Sequence, residues 1–369
     1  MSIPPAPQDR HFPPEKQQGW KTSVTRISPG CVEIAGQPLS SLIGARTLPE
    51  VAHLLLTRRF PDHREHRELV AMVREGAAPA LPFPERADGQ DVCRSAARVL
   101  LGDEHLCRGA ASGEQAELRK TFLCLGRMLR VLAHLLGTEE ACAHADPDAP
   151  FSSLLYRVLT GNRDIHDQSA RMLEALTVAC ADHGVTPPST QATILASSVR
   201  APYPAALAAG FCAITDVHGG AGERAAEFLL DCAATAQATG RSLSASLRQR
   251  LTAAVQLGKR IPGLGHRFHD QDPRCPPLLA LARQTRTAGD CVRCLQEAPA
   301  IYRELRGVDL PLNVDGVIGA VVADLRLPPP VAKMVFLLGR VAGLSAHHFE
   351  ELTRHRPMRW INFDQAVFE

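Results

Sequence analysis

Apolar residues recur at intervals of three and four positions over long stretches of this chain, a spacing typical of amphipathic helices. The spacing is clearest over 118–136 and 225–238, and 51–56 has the apolar clustering of a buried helix. Clusters of proline and glycine separate the helical runs at 78–84, 201–204, 262–265 and 328–330. Aromatic residues make up only 5% of the chain and alternating Val/Thr-rich runs are few. We therefore predict a mainly α fold.

Two short segments depart from this helical pattern. Residues 1–19 hold several prolines, which exclude regular structure there and predict a flexible N-terminal arm. The stretch Cys31-Val-Glu-Ile-Ala alternates apolar and polar positions before Gly36, which predicts a short strand.

The bulk composition excludes several classes of partner. The formal net charge is +2, so the charge balance indicates neither a nucleic acid nor a membrane partner. No apolar run is long enough to span a bilayer. The 11 cysteines follow no disulfide framework, and Met1 opens a polar, proline-rich segment rather than a signal peptide. We predict a cytoplasmic protein.

The pair Cys291 and Cys294 is the cysteine spacing that most resembles a metal or redox motif. It has no second pair to complete a zinc site and no strand–helix context for redox chemistry. His347 and His348 are adjacent on a predicted helix and cannot share one face. We therefore predict helix thiols and no metal site.

Three loop-like segments each place a histidine beside glycine, near a predicted helix end. They are Asp182-His183-Gly184, His218-Gly219-Gly220 and the segment from Pro262 to His266. Glycines allow the backbone to come close to a ligand, and amide groups at a helix start can face an anion. A single His-Gly pair indicates little. Three of them, followed by Asn313-Val314-Asp315-Gly316, indicate a functional constellation.

These strings resemble the motifs of the citrate synthase family. His218-Gly-Gly-Ala-Gly-Glu223 resembles the family's His-Gly-Gly-Ala motif, and Pro262-Gly-Leu-Gly-His266-Arg267 with Asp272-Pro273-Arg274 resembles its second histidine loop. Asn313-Val-Asp315 resembles the segment with the catalytic aspartate, and Ala181-Asp-His183-Gly the substrate-binding histidine loop. Further matches, in the same order along the chain, are Trp20-Lys21-Thr22-Ser23, Gly339-Arg340, His347 and Arg356-Pro357.

Within this family the details resemble the citryl-CoA lyase branch, which includes the C-terminal part of ATP-citrate lyase. Glycine follows the catalytic aspartate there, as Gly316 follows Asp315 here, whereas true citrate synthases usually have phenylalanine. Gly184 after His183 is also similar to the lyase pattern, and Cys180 stands where many synthases have another histidine. The loop between His266 and Arg274 is one residue shorter than in most synthases.

The resemblance implies a two-domain helical fold in a homodimer. A large domain would combine 20–218 with 322–369, and 219–321 would form a small domain that closes over coenzyme A. Arg356 would reach the active site of the neighbouring subunit. The implied reaction is cleavage of citryl-CoA to acetyl-CoA and oxaloacetate, or the reverse condensation, with a CoA thioester as substrate and no metal.

The implied chemistry assigns a role to each of three residues. A carbon next to a thioester is a weak acid, and a carboxylate base needs a donor at the carbonyl oxygen to stabilise the enol. Asp315 would be the base, and neutral His218 the donor to the thioester oxygen. His266 would donate to the ketone oxygen of a 2-oxo acid, or take the alcohol proton during cleavage.

The remaining predicted site residues bind the substrates. Substrate carboxylates would be held by cations and one further polar contact, from Arg274, Arg340, Arg356 and His183. Coenzyme A would lie along the second histidine loop and contact Lys259, Arg260, Gly263, Gly265 and Arg267.

Several alternatives stay open at this point. Asp315 can be a helix N-cap, Arg274 a surface charge, and Arg340 a partner of Glu350 or Glu351. The substrates can be another acyl-CoA and another 2-oxo acid. In a different class, the chain can be a catalytically silent CoA-binding subunit, although keeping His218 and His266 together with Asp315 argues against silence.

Overall fold

The structure is a computed structural model of the chain. It describes residues 21–81, 91–103, 106, 113–140, 148–267 and 269–359. The predicted flexible arm over 1–19 lies outside the described residues.

A small antiparallel sheet opens the described chain. Its strands are β1 (Thr25–Ser28), β2 (Cys31–Ile34) and β3 (Gln37–Pro38), in the order β1-β2-β3. Thr25 pairs with Ile34 and Ser28 with Cys31. Val32 and Ile34 are buried while their neighbours are partly exposed, so the predicted strand is confirmed.

Helices make up most of the rest of the described chain, and the predicted mainly α fold is confirmed. They are α1 (Leu39–Leu42), α2 (Leu48–Thr57), α3 (His63–Ala77), α4 (Val92–Leu101), α5 (Glu114–Leu136), α6 (Phe151–Thr160), α7 (Asp167–Ala179), α8 (Pro188–Ser198), α9 (Tyr203–Cys212), α10 (Ala221–Thr239), α11 (Leu243–Gln256), α12 (Cys275–Gln284), α13 (Asp290–Arg306), α14 (Val314–Asp324) and α15 (Pro330–Arg354). The helical spacing over 118–136 and 225–238 falls within α5 and α10.

Local signals in the sequence set several helix ends. Thr47 with Glu50 and Asp62 with Glu65 form capping boxes, in which side chain and backbone satisfy each other's open donors at the first turn. Helix α5 ends at Gly137, whose φ of 71° is a left-handed conformation that glycine adopts without strain.

Helix α15 is the centre of the larger helical group. It packs against α2, α5, α7, α8 and α9. Because it is surrounded, its polar side chains are buried with its apolar ones, and buried polar groups need partners. His348 Nδ1 lies 2.8 Å from Ser197 Oγ, and His347 Nε2 lies 3.3 Å from Asp182 Oδ2.

The start of the described chain is bound to the end of α15. The Glu350 carboxylate accepts hydrogen bonds from Thr22 Oγ1 at 2.7 Å and from the Ser23 backbone N–H at 2.6 Å. Arg354 and Arg58 both donate to Ser23 Oγ, at 2.6 and 2.9 Å. We call these five residues the terminal clamp.

A second group of helices packs mainly on itself. Helices α10, α11, α13 and α14 contact one another, and α10 and α14 also contact α15. Cys291 and Cys294 lie buried on α13, where burial raises the pKa of both thiols, as expected for the helix thiols that the sequence predicts. Among the described residues, no helix combines the length and the apolar character needed to cross a membrane.

Candidate active site

Nine of the predicted site residues line one cavity of about 330 Å³, here called the central cavity. The predicted catalytic and substrate-binding residues among them are His183, His218, His266, Arg274, Asp315 and Arg340, and the predicted CoA-binding ones are Arg260, Gly265 and Arg267. A second cavity of about 590 Å³, the basic cavity, shares Arg260, Gly265, His266 and Arg267 with it. Lys259 also lines the basic cavity.

Two predicted residues do not line either cavity. Gly263 faces Gly316, and its carbonyl accepts a hydrogen bond from the Asn313 N–H at 3.0 Å. Arg356 follows the end of α15 and is exposed. Within this one chain, the structure therefore brings neither residue to the predicted substrates.

Backbone pairing joins the loop of His266 to the segment of Asp315. The Gly265 N–H donates to Pro311 O at 2.7 Å, and Asn313 Nδ2 donates to Gly265 O at 2.8 Å. The two segments also touch at glycines, because a Cβ on Gly316 would lie 2.7 Å from the Gly263 Cα. Only glycine permits this backbone approach, which fixes His266 relative to Asp315.

Asp315 occupies the first turn of α14 but does not cap it. Asn313 is the N-cap, and its side chain accepts a hydrogen bond from the Gly316 N–H at 3.0 Å. The reading of Asp315 as merely a cap is therefore wrong. Burial raises the pKa of Asp315 above its usual value, against the opposing effect of Arg274. A more basic carboxylate is a better base for a carbon acid.

His218 is held in a tight turn between α9 and α10. Thr215 and His218 exchange backbone hydrogen bonds of 2.8 and 3.1 Å. Its Nε2 lies 2.9 Å from Ser189 Oγ, and its ring meets the Phe336 ring edge-on with centroids 5.6 Å apart. Burial lowers the pKa of His218 to about 4, so the ring is neutral at physiological pH and can be a neutral donor.

The tautomer of His266 follows from its surroundings. Its Nδ1 accepts a hydrogen bond from the His269 backbone N–H at 3.1 Å. Burial lowers the pKa of His266 to about 4, so the ring is neutral and its one proton lies on Nε2. Because His266 lines the central cavity, this Nε2–H can donate to an oxygen of a ligand there.

Arg274 is buried, with 4% of its surface exposed, so the surface-charge alternative is wrong. Its Nε and Nη2 donate to the two oxygens of Asp272 at 2.9 and 2.8 Å. Asp272 also accepts from the Val314 N–H at 2.9 Å, which ties the arginine to the start of α14. Asp272 thus sets the direction of Arg274.

Arg340 lies in the middle of α15 with 2% of its surface exposed. The alternative of pairing with Glu350 or Glu351 is wrong, because Glu350 binds Ser23 within the terminal clamp and Glu351 binds Arg359. The closest carboxylate oxygen is Asp182 Oδ1, 3.8 Å from Arg340 Nη1. Within the described structure, Nε and Nη1 of Arg340 have no hydrogen-bond partner.

His183 lines the central cavity together with these two cations. Burial, followed by the charges of Arg274 and Arg340, lowers the pKa of His183 to about 2, so this ring is also neutral. Asp182 accepts a hydrogen bond from the Gly184 N–H at 2.8 Å and so shapes the loop. A neutral imidazole beside two guanidinium groups can donate to a carboxylate without adding a third positive charge.

Several residues of the site escaped sequence reasoning. Ser189 and Phe336 fix the His218 ring, and Tyr302 and Arg306 line the basic cavity. His269 packs against His266, with ring centroids 4.6 Å apart. Of these contacts, only that of His269 could have been expected from the sequence, because the short loop places it near His266. The spacing between motifs indicates none of the others.

The chain is similar to several known proteins. The family model described as citrate synthase, C-terminal domain, matches residues 16–361. Citrate/2-methylcitrate synthase of Bacillus subtilis is 24% identical over 345 residues, which are 88% of this chain and 88% of that protein. ATP-citrate synthase beta chain protein 1 of Arabidopsis thaliana is 25% identical over 258 residues, 62% of this chain. The chain spans only 41% of that relative's length.

Solved structures show the same likeness. Citryl-CoA lyase of Hydrogenobacter thermophilus has 31% identity and a TM-score of 0.54, over 60% of this chain and 84% of that one. Citrate synthase of Thermoplasma acidophilum, solved with carboxymethyl coenzyme A and oxaloacetate, has 18% identity and a TM-score of 0.75 over 96% of this chain and 95% of that one, which shows the shared fold. With the family match over most of its length, the chain belongs to the citrate synthase family of enzymes.

Proposed function

We propose that this enzyme makes or cleaves the carbon–carbon bond of citryl-CoA, with acetyl-CoA and oxaloacetate on the other side of the reaction. The observation that carries the proposal is the central cavity. It combines a carboxylate of raised pKa, three neutral histidines and two buried arginines. A di-anionic 2-oxo acid beside an enolising thioester requires this set of groups.

The proton transfers follow from the geometry. In condensation, Asp315 removes a proton from the methyl group of the thioester while His218 donates a hydrogen bond to the thioester oxygen. The enol carbon then attacks the ketone carbon, and His266 Nε2–H donates to the ketone oxygen as charge develops on it. Cleavage is the reverse and starts from the opposite protonation states. Nε2 of His266, having given its proton to the ketone oxygen in condensation, takes the alcohol proton back, and protonated Asp315 returns a proton to the carbon of the acetyl enol.

Substrate carboxylates would bind to Arg274 and Arg340. Among the described residues, Nε and Nη1 of Arg340 have no hydrogen-bond partner, and the carboxylate oxygen of Asp182 lies 3.8 Å from Nη1. A buried guanidinium with open donors is costly unless a ligand anion pairs with it. His183 would add a neutral donor beside the two cations. A bidentate contact to a carboxylate would fix the orientation of the 2-oxo acid.

Coenzyme A would occupy the basic cavity. Lys259, Arg260, Arg267 and Arg306 line it, and the first three are predicted CoA contacts. Cationic side chains suit its phosphate groups, while Tyr302 offers a flat apolar surface for the base. Gly265 belongs to this lining, and a contact between CoA and Gly263 stays a prediction.

We infer that the enzyme is a homodimer whose second subunit completes the site with Arg356. Arg356 is exposed and lies next to Met358, which is 79% exposed. Leu195 and Val199, near the end of α8, are 55% and 61% exposed, and the Met358 N–H donates to Ser198 O at 2.7 Å. This exposed apolar area lies beside Arg356, a predicted substrate-binding arginine that lines neither cavity of its own chain. Such an arrangement fits a subunit interface.

The proposal includes a division into two domains and a cytoplasmic location. The packing of α10, α11, α13 and α14, which is mainly on one another, supports a small domain over 219–321 and a large one over 20–218 and 322–369. Closing of the small domain would bring the basic cavity over the central one. The cytoplasmic location rests on the sequence alone.

A second candidate function is condensation of another acyl-CoA with another 2-oxo acid. Two observations favour it. The loop from His266 to Arg274, which bears His269, is one residue shorter than in most synthases. Cys180 is buried against the α15 backbone, where a Cβ on Gly339 would lie 2.7 Å from the Cys180 Cβ. Both features alter the surroundings of the 2-oxo acid and leave Asp315 and His218 in place.

The test is turnover by the purified enzyme. Citryl-CoA, and separately acetyl-CoA with oxaloacetate, are supplied while free CoA, acetyl-CoA and oxaloacetate are followed by mass spectrometry. Asp315→Asn should lose activity by several orders of magnitude, since the base is removed. Asp309→Asn is the matched control, because Asp309 is an exposed carboxylate on the same segment. Full activity of Asp315→Asn would contradict the mechanism, and inactivity of the wild type with a panel of acyl-CoA and 2-oxo acid pairs would favour the silent CoA-binding subunit.

A further inference from the structure

His269 is a buried histidine that the proposed chemistry does not use. It has 3% of its surface exposed, and neither ring nitrogen has a hydrogen-bond partner within the described structure. Leaving a buried polar group unsatisfied costs about 1–3 kcal/mol. Such a group indicates that something absent from the protein chain, such as a ligand atom, completes its bonding.

The ring of His269 belongs to a cluster with two residues of the central cavity. Its centroid lies 4.6 Å from that of His266 and 5.7 Å from that of His183. One ring nitrogen from each of the three histidines lies within 4.8 Å of the other two. A point then exists that lies within about 2.8 Å of all three nitrogens, which is within the length of a hydrogen bond to oxygen.

The cluster suits an oxygen better than a metal ion. Nδ1 of His266 accepts the His269 backbone N–H, so Nε2 of that ring keeps its proton and cannot also offer a lone pair to a metal. The charges of Arg274 and Arg340 act on His183 and disfavour an additional cation there. The same charges favour an oxygen that carries negative charge.

We propose that His183, His266 and His269 form a cradle for one oxygen of the 2-oxo acid, and that His269 is a specificity-determining residue of this enzyme. The proposal rests on the proposed function and deepens it. The oxygen is the ketone oxygen, because His266 Nε2–H is the proposed donor to it and because this oxygen gains negative charge as the new bond forms. A third donor therefore stabilises the transition state more than the bound substrate.

The cradle also limits the choice of substrate. A ligand with a ketone or tertiary alcohol oxygen satisfies the buried His269, whereas an analogue without that oxygen leaves it unpaired. Sites built to bind an oxygen discriminate strongly against analogues that lack it. The enzyme should therefore bind 2-oxo dicarboxylic acids and tertiary hydroxy acids, and it should bind the matching succinate-like acids, which lack the oxygen, more weakly.

Two kinds of variant separate hydrogen bonding from packing. His269→Phe keeps an aromatic ring against His266 but removes the polar atoms, while His269→Asn and His269→Gln place an amide donor within reach of the Nδ1 or Nε2 position. His269→Phe should lower kcat/KM for the 2-oxo acid by about 10- to 100-fold with the KM for the acyl-CoA unchanged. In one of the two amide variants, kcat/KM for the 2-oxo acid should be at least about tenfold higher than in His269→Phe.

The measurements are steady-state kinetics with each substrate varied, calorimetric binding of oxaloacetate and succinate, and thermal unfolding of every variant. Wild-type kcat/KM in His269→Phe would overturn the cradle. So would an equal loss of kcat/KM for the 2-oxo acid in all three variants, since failure of both amide variants to recover activity indicates packing alone. Submicromolar Zn²⁺ binding that is lost in His269→Phe would reassign the cluster to a metal and overturn the proposal.

The outcome for the cradle is separable from that for the proposed function. A wild-type enzyme that turns over no substrate pair contradicts the proposed function. In that case, oxaloacetate binding decides the cradle. Equal affinity of wild type and His269→Phe for oxaloacetate, or no binding by the wild type, overturns it, and weaker binding by His269→Phe supports it.

Discussion

The contact between Gly316 and Gly263 gives the sharpest prediction about how the site is assembled. In Gly316→Ala, the new Cβ would lie 2.7 Å from the Gly263 Cα, 2.8 Å from Gly263 O and 3.0 Å from Leu295 Cδ1. Carbon atoms prefer separations of about 3.5–4.0 Å, so the loop and α14 must separate by about 1 Å. Two of the three atoms are backbone and cannot turn away as a side chain can.

The expected change in stability is the balance of two effects. Overpacking of this kind costs about 1–3 kcal/mol. Alanine in the first turn of α14 recovers about 0.5–1 kcal/mol relative to glycine, because it restricts the unfolded chain. We therefore expect a net loss of about 1–2 kcal/mol. This loss should lower the Tm by a few degrees, since about 2–4 °C per kcal/mol is usual for domains of 150–250 residues.

The effect on activity should exceed the effect on stability. His266 lies three residues beyond Gly263, on the loop that must move, while Asp315 stays on α14. A displacement of about 1 Å between two catalytic groups can reduce the rate by about 100-fold. We expect kcat of Gly316→Ala to fall by 10- to 100-fold, with the KM for the acyl-CoA less affected.

The assay combines thermal unfolding with turnover of citryl-CoA. Gly102→Ala is the matched control, since a Cβ there meets nothing closer than 3.7 Å. It should leave both the Tm and kcat near the wild-type values. Wild-type Tm and kcat in Gly316→Ala would refute the reasoning, because they would mean that the loop can move away from α14 without cost.

Three further predictions concern buried charge. Arg340→Lys should lower kcat/KM for the 2-oxo acid by at least about 100-fold in steady-state assays, since an ammonium cannot reproduce the bidentate contact; an unchanged value would remove Arg340 from the site. Burial lowers the pKa of His218 and His266 from 6.5 to about 4. Their neutral forms therefore stabilise the fold above pH 6.5, and this contribution is lost as the pH falls through 4. The Tm of the wild type should decline over this pH range, and it should decline less steeply in His218→Gln. Burial raises the pKa of Glu174 from 4.5 to about 8. The contribution of Glu174 to the free energy of unfolding is therefore complete below pH 4.5 and lost as the pH rises through 8. Glu174→Gln should raise the Tm more at pH 9 than at pH 6, and an equal change at both pH values would contradict this.

The sequence predicts the helices and the convergence of the motifs better than the contacts between them. Periodic apolar spacing is a local property, so α5 and α10 can be read from it. The cap of α14 is harder, because Asn313 and Asp315 are both favoured caps and the start of the first turn depends on packing against the neighbouring loop.

The surroundings of the catalytic groups depend on long-range geometry. Asp272 is visible in the sequence only as part of a string, yet in the structure it directs Arg274 and binds the start of α14. The contact of Gly316 with Gly263 joins positions 53 residues apart in numbering, and no local pattern encodes it. His269 becomes informative only when its ring is found buried beside His266.

The terminal clamp has a consequence for how the chain folds. The hydrogen bonds between Ser23 and Glu350 join residues 327 positions apart, and closing so long a loop is entropically unfavourable until the intervening chain is ordered. The clamp must therefore form late in folding. Its partners Glu350 and Arg354 immediately precede the segment that bears Arg356, so that segment should reach its final position in the same late step.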